Sequence, residues 1–174
     1  GSRSSKVGRV TPAIQFILKS RSVSSDVPHA EGATRGSMSA TVLIADDDVF
    51  MRSGLRALFE AQSYVVLEAG SLSTATNLIE AHPLRGAIVD ISIPADEGNH
   101  SWTMTTEGLN LVRVLKHHDP RMGVVVLSAY AEHLDTVMDL LADGIRGLAY
   151  RLKGRRADDL FSLILGAERV AQQQ

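Results

Sequence analysis

From residue 41 onward, short apolar runs alternate with segments whose apolar positions recur every three or four residues. Thr41–Ala45 is short and apolar, which predicts a strand. Val49–Gln62 carries Met51, Leu55, Leu58 and Phe59 on one helical stripe. Tyr64–Leu67 is short and β-branched, a second strand. Ser71 is placed to cap a helix running to Ala81, with Leu72, Ala75, Leu78 and Ile79 on one face. Ala87–Ile91 is a continuous apolar strand. Residues 94–106 are polar and irregular. The spacing then predicts a helix over Leu109–Lys116, a strand over Val124–Leu127 and a helix over Ala131–Ala142 stopped at Gly144. Gly147–Leu152 reads as a fifth strand and Ala157–Val170 as a fifth helix. Strands that are apolar on both faces, alternating with helices, predict a doubly wound α/β fold: a five-stranded parallel sheet with five helices.

Residues 1–37 break this rhythm. They are rich in Ser, Gly and Arg, with one short apolar run from Ala13 to Leu18. Gly1-Ser2 and Gly36-Ser37 have the look of cloning scars, and Met38 that of a native start. The expectation is a tag or linker over 1–37 and one domain over 38–174. Charge follows the same division. Residues 1–37 hold six Lys/Arg against two Asp/Glu, and residues 38–174 hold twelve against eighteen. An acidic domain is a poor surface for nucleic acid, which needs a basic footprint. There is no cysteine, which excludes disulfide and thiol chemistry. No apolar run reaches the ~18 residues of a membrane span, and no signal peptide is evident; a cytoplasmic protein is expected.

In a doubly wound sheet, ligands lie beyond the carboxyl ends of the strands. The first strand here ends in Asp46-Asp47-Asp48, the third around Asp90, the fourth at Ser128 and the fifth at Lys153. Taken singly, each has an ordinary reading: acids favour helix N-termini, serines cap and lysines solvate. Taken together, they put carboxylates, a hydroxyl and an ammonium on one rim. Clustered carboxylates repel unless a cation joins them. All-oxygen ligands favour a hard ion, Mg2+ above all. Such an ion lets an anionic phosphoryl donor approach a carboxylate nucleophile, and lysine and serine can hold the remaining oxygens.

The segments Val42-Leu43-Ile44-Ala45-Asp46-Asp47, Ala87-Ile88-Val89-Asp90 with Pro94, Val124–Ala129 and Gly147–Lys153 resemble the four signature segments of response-regulator receiver domains, nearest to actinobacterial regulators of the NarL/LuxR type. The resemblance covers residues 41–170. It implies a flavodoxin-like sheet of order 2-1-3-4-5 and a two-component signalling role, in which Asp90 accepts a phosphoryl group from a sensor histidine kinase. It further implies Asp47 as the direct Mg2+ ligand, Asp46 acting through water, and the backbone carbonyl of Ser92 as another ligand. Ser128 would be the switch hydroxyl, Lys153 its partner or, before phosphorylation, that of Asp90, and Tyr150 the switch aromatic. Asp48 is expected on the surface of the first helix and not as a ligand. The domain would be a switch, not a turnover enzyme, that controls an output such as transcription. Homodimers would form through the helix 4–strand 5–helix 5 face or the helix 1/helix 5 face. DNA would be reached only through a domain absent from these residues, and no membrane contact is implied.

Three departures qualify the resemblance. Gly108, in the helix-starting Thr106–Leu109 segment, arrives eighteen residues after Asp90. The loop over 95–106 is thus about ten residues longer than the usual pattern. With His100 and Trp102 it is a candidate lid or partner surface. Lys153 is followed by Gly154 where many relatives have proline, so a trans peptide bond is expected. Gln172–Gln174 reads as the start of a linker to an output domain, which points to a truncated form or a stand-alone receiver. Two rival readings share parts of this pattern. A haloacid-dehalogenase-type phosphatase would need two aspartates one residue apart after the first strand. A degenerate pseudo-receiver would act as an interaction module independent of phosphorylation, but Asp46, Asp47, Asp90, Ser128 and Lys153 are all present.

Overall fold

The computed structural model describes residues 39–98, 106–154, 164–166, 168–169 and 172–173. Five strands are present: β1 (Thr41–Ala45), β2 (Val65–Ala69), β3 (Gly86–Asp90), β4 (Gly123–Ser128) and β5 (Leu148–Leu152). Four helices alternate with them: α1 (Val49–Ala61), α2 (Leu72–Ala81), α3 (Glu107–His118) and α4 (His133–Ala142). Helical residues at 164–166, 168–169 and 172 belong to a fifth, α5. All strand pairs are parallel, and the order is β2-β1-β3-β4-β5, as the resemblance implied.

Side chains of a strand alternate between the two faces of the sheet, and each face here has its own core. On one face, Leu43, Ala45, Ala87, Val89, Val124 and Val126 pack with Ile79, Leu111, Leu115, Val137 and Leu140 of α2, α3 and α4. On the other, Val42, Ile44, Ile88, Val125 and Leu127 pack with Leu55 and Phe59 of α1 and Ile164 of α5. This is the doubly wound arrangement.

The expected boundaries differ at several ends. β2 runs on to Ala69, because the Ala69 carbonyl accepts from Asp46 N–H at 3.0 Å and keeps the ladder going. The third helix begins at Glu107, two residues earlier than its apolar stripe, and runs to His118. The fourth begins at His133, because Ala131 and Glu132 form a turn. Gln172, expected in a linker, is helical, and its side-chain amide bonds Glu168 Oε1 at 3.2 Å. No cis peptide bond occurs among the described residues, so the trans expectation at Lys153-Gly154 holds. Residues 1–37, His100 and Trp102 lie outside the described residues.

Gly108 matters for the site. A Cβ there would run into the Asp90 carbonyl oxygen and lie 2.6 Å from Ile91 Cα. Its backbone N–H donates to the Ile91 carbonyl at 3.1 Å. Glycine therefore lets the first turn of α3 rest directly on the backbone of the third strand's end.

Candidate functional site

The strand ends deliver their residues to one rim, as expected. Asp46 follows β1 and is almost wholly buried; its Oδ1 accepts from Asp48 N–H at 2.9 Å. Asp90 closes β3, also buried, and its Oδ1 accepts from Ser92 N–H at 3.1 Å. Lys153 follows β5. Its Nζ lies 2.8 Å from Asp46 Oδ2 and 2.9 Å from Asp90 Oδ2, so a single ammonium bridges two carboxylates. Asp47 is exposed at the mouth. One carboxylate oxygen from each of Asp46, Asp47 and Asp90 lies within 4.8 Å of the others.

The electrostatics follow from this crowding. Burial, then the neighbouring Asp90 charge, push the Asp46 carboxyl up to about 6, and Lys153 only partly opposes them. For Lys153, burial alone would lower the pKa; the hydrogen bonds and charges of Asp46 and Asp90 outweigh it, and the net shift is upward. Asp46 Oδ2 is buried and, among the described residues, has no partner in hydrogen-bond alignment, although Lys153 Nζ is within ion-pair distance. At 2.8 Å the two charges attract each other, and the lone pairs of that oxygen turned away from the ammonium remain available.

The site fits a hard divalent cation. The donor set is entirely carboxylate oxygen, one oxygen retains acceptor capacity, and one carboxylate opens to solvent for entry. Asp46, Asp47 and Asp90 are the side chains that would hold it.

Asp48 stands apart, as expected. It is the N-cap of α1, and its Oδ1 accepts from Phe50 N–H at 2.8 Å and Met51 N–H at 3.1 Å. Ser128 is fully buried at the end of β4. Its carbonyl accepts from Lys153 N–H at 2.7 Å, which ties the β4 and β5 ends together. Its hydroxyl engages the segment leading into α4: Tyr130 N–H donates to it at 3.0 Å, the Tyr130 carbonyl lies at 2.9 Å and His133 Nδ1 at 2.6 Å. Tyr150 is half-buried, and its hydroxyl donates to the Tyr130 carbonyl. Burial raises the Tyr150 pKa, against a smaller opposing effect from Ser128.

The family model of the response regulator receiver domain matches residues 42–160. The chain belongs to the response-regulator receiver family. The receiver is 33% identical over 103 residues to response regulator GtcR of Aneurinibacillus migulanus, covering 59% of this chain and 38% of that protein. It is 30% identical over 109 residues to transcriptional regulatory protein RcsB of Escherichia coli K12, covering 60% of this chain and 47% of that protein. The chain therefore spans less than half the length of either relative. A CheY-like receiver domain from Methanospirillum hungatei JF-1 shares the fold at a TM-score of 0.62 and 23% identity, covering 78% of this chain and 98% of that one.

Two contributors escaped the sequence reading. Arg52 of α1 donates from its guanidinium to the Asp46 carbonyl, and its Nε lies 3.6 Å from Glu68 Oε1. The acceptor is backbone, which carries no residue-type signal. His133 was hidden because it falls within what read as the first turns of a longer helix. A histidine five residues after the strand-ending serine was the available cue.

Proposed function

We propose that this receiver domain is a phosphorylation-controlled switch. Asp90 accepts a phosphoryl group from a phosphohistidine of a sensor kinase, and the domain then changes its partner preference to control an output. One observation carries the reading: Lys153 bridges Asp46 and Asp90 while Asp47 completes a carboxylate cluster within 4.8 Å. The nucleophile lies against an ammonium, and the carboxylate cluster that would hold a cation includes it.

In this reading the Asp90 carboxylate oxygen attacks phosphorus. The P–O bond forms as the P–N bond to the donor imidazole breaks. Mg2+, held by Asp47, Asp90 and the Ser92 carbonyl with Asp46 acting through water, would neutralise charge on the phosphoryl oxygens. Lys153 exchanges its carboxylate partner for a phosphoryl oxygen, and Ser128 donates to another. Asp46, largely walled off from solvent, keeps the site's charge next to the metal position. Tyr150 responds to the new position of Ser128, since both are fastened to Tyr130. The step is stoichiometric, so the domain is a phosphoacceptor, not a turnover enzyme. Phosphorylation biases a pre-existing equilibrium through contacts made better in one state.

RcsB is a transcriptional regulatory protein, and GtcR a response regulator. Because the chain matches less than half of each, transcriptional output through a DNA-binding region outside these residues is part of the proposal. So are a cytoplasmic location and a homodimer through the α4–β5–α5 or α1/α5 face. Among the described residues, no helix is long and apolar enough to cross a membrane.

Acetyl phosphate or beryllofluoride, added with Mg2+, tests the reading by amide chemical-shift changes. Wild type responds at the β3, β4 and β5 ends, and Asp90→Asn abolishes the response. A silent wild type overturns the proposal and leaves the domain as an interaction module.

A further inference from the structure

The buried hydroxyl of Ser128 has an arrangement that the phosphoacceptor reading does not use. Among the described residues, its hydrogen bonds run to Tyr130 and His133 on the segment 130–133, with the Tyr150 hydroxyl of β5 beside them, and none reaches Asp90. The contact to His133 Nδ1, at 2.6 Å, is the shortest of the three. His133 is itself buried, at the first position of α4, and its ring meets the Tyr130 ring edge-on at 5.6 Å and 78°. The imidazole is thus wedged between the exposed Tyr130 and the switch hydroxyl.

The protons can be counted. A serine hydroxyl has one hydrogen to give and two lone pairs. Tyr130 N–H occupies one lone pair. The Tyr130 carbonyl already receives the Tyr150 hydroxyl. The Ser128 hydrogen therefore goes either to His133 Nδ1, with the imidazole neutral and its proton on Nε2, or to the Tyr130 carbonyl, with Nδ1–H donating to Ser128 Oγ. Both arrangements hold the hydroxyl on the α4 side. Neither leaves its hydrogen free for an oxygen on Asp90. A hydroxyl that is to donate to a phosphoryl group must first leave His133.

We propose that His133 is a positioning residue that holds Ser128 in its disengaged orientation and so sets the domain's threshold for switching. The inference rests on the phosphoacceptor reading and deepens it: the same site is regulated from the first turn of α4. Losing the His133 contact favours the engaged orientation, and the domain binds a phosphoryl mimic more tightly without any change in the acid pocket. The net contribution of a single hydrogen bond corresponds to about a fivefold effect.

The test is beryllofluoride affinity at fixed, saturating Mg2+, measured by calorimetry on the full 174-residue chain. His133→Phe keeps a ring against Tyr130 and removes the nitrogen; its affinity is expected to rise about fivefold. His133→Asn places a polar group near the Nδ1 position and is expected to return toward wild type, which a purely structural role would not produce. In a Ser128→Ala background, His133→Phe is expected to have no effect, since the residue it acts through is gone. Unchanged or weakened affinity in His133→Phe, or an equal gain in the Ser128→Ala background, overturns the inference while leaving Asp90 as the acceptor. Absence of saturable binding to wild type removes both. If His133→Phe fails to fold, the Asn variant and the Ser128→Ala pair carry the decision: wild-type affinity in Asn is expected, and a tightening that persists without Ser128 refutes.

Discussion

Lys116 is a charged residue that nothing in the sequence marks as unusual. It sits on α3 and is 8% exposed. Its Nζ donates to the carbonyls of Met122 and, at 3.3 Å, Pro120, closing the turn between α3 and β4. Among the described residues no carboxylate forms an ion pair with it, and burial lowers its pKa to about 8, against a smaller opposing effect from Asp119. The folded pKa lies below the unfolded value near 10.5. Between these values the unfolded chain binds more protons, so stability rises with pH across the window from about 8 to about 10.5. Below it the folded state carries the full cost of a buried charge. Lys116→Met is therefore expected to flatten this rise and to stabilise the protein at pH 7 by on the order of 1–2 kcal/mol, offset in part by the lost carbonyl contacts. Denaturant midpoints at pH 7 and pH 10 check it. A variant that keeps the wild-type pH slope shows that another group causes it.

At the scale of elements, the three adjacent aspartates after β1 divide their work by backbone geometry. Asp46 points into the sheet edge, Asp47 to the mouth, and Asp48 turns back to cap α1. Asp48→Ala is expected to cost about 1 kcal/mol of stability through the lost cap and to leave Mg2+ affinity within about twofold. Asp47→Asn is expected to do the reverse: little change in stability and a loss of at least tenfold in Mg2+ affinity. Thermal unfolding and metal titration of the two variants separate them, and equal metal loss in both contradicts the assignment. The division was legible in the sequence, because a cap needs a side chain just before the first helical residue. Less legible was the start of α4. Ala131 and Glu132 suit a helix by propensity, but the chain turns there, and Tyr130 and His133 close around Ser128. Local propensity yields to a buried hydrogen bond when the two conflict. The extent of β2 was hidden for a related reason. Glu68 lowers strand propensity, yet its carboxylate meets Arg56 at 2.5 Å across to α1, so the polar residue is satisfied in place.

For the molecule as a whole, the acid cluster is a site of local repulsion relieved by Lys153 and by any cation that joins it. A ligand bound only by the folded state stabilises it by mass action. Mg2+ at 100 times its Kd is expected to add roughly 2.7 kcal/mol and raise the melting midpoint by several degrees. Asp47→Asn is expected to lose most of that gain at the same concentration. A wild-type midpoint that does not move at saturating Mg2+ contradicts the assignment of the cluster as a metal site.

The sequence by itself determined the number and order of the elements, the parallel character of the sheet and the residues that close each strand. Those features are written in hydrophobic periodicity and in turn residues, which act over a few positions. Tertiary structure decided the rest. Asp90 and Lys153 are 63 residues apart and meet because β3, β4 and β5 lie in sequence across the sheet. β1 lies between β2 and β3 because the chain reverses its direction of winding there, a choice set by packing on both faces. The bridging ammonium, the Arg52 contact to a backbone carbonyl and the grip of His133 on Ser128 depend on orientation after packing. Residue type and spacing cannot encode orientation, because a side chain's partner is chosen only once the folded surroundings leave it one way to satisfy its hydrogen bonds and its charge.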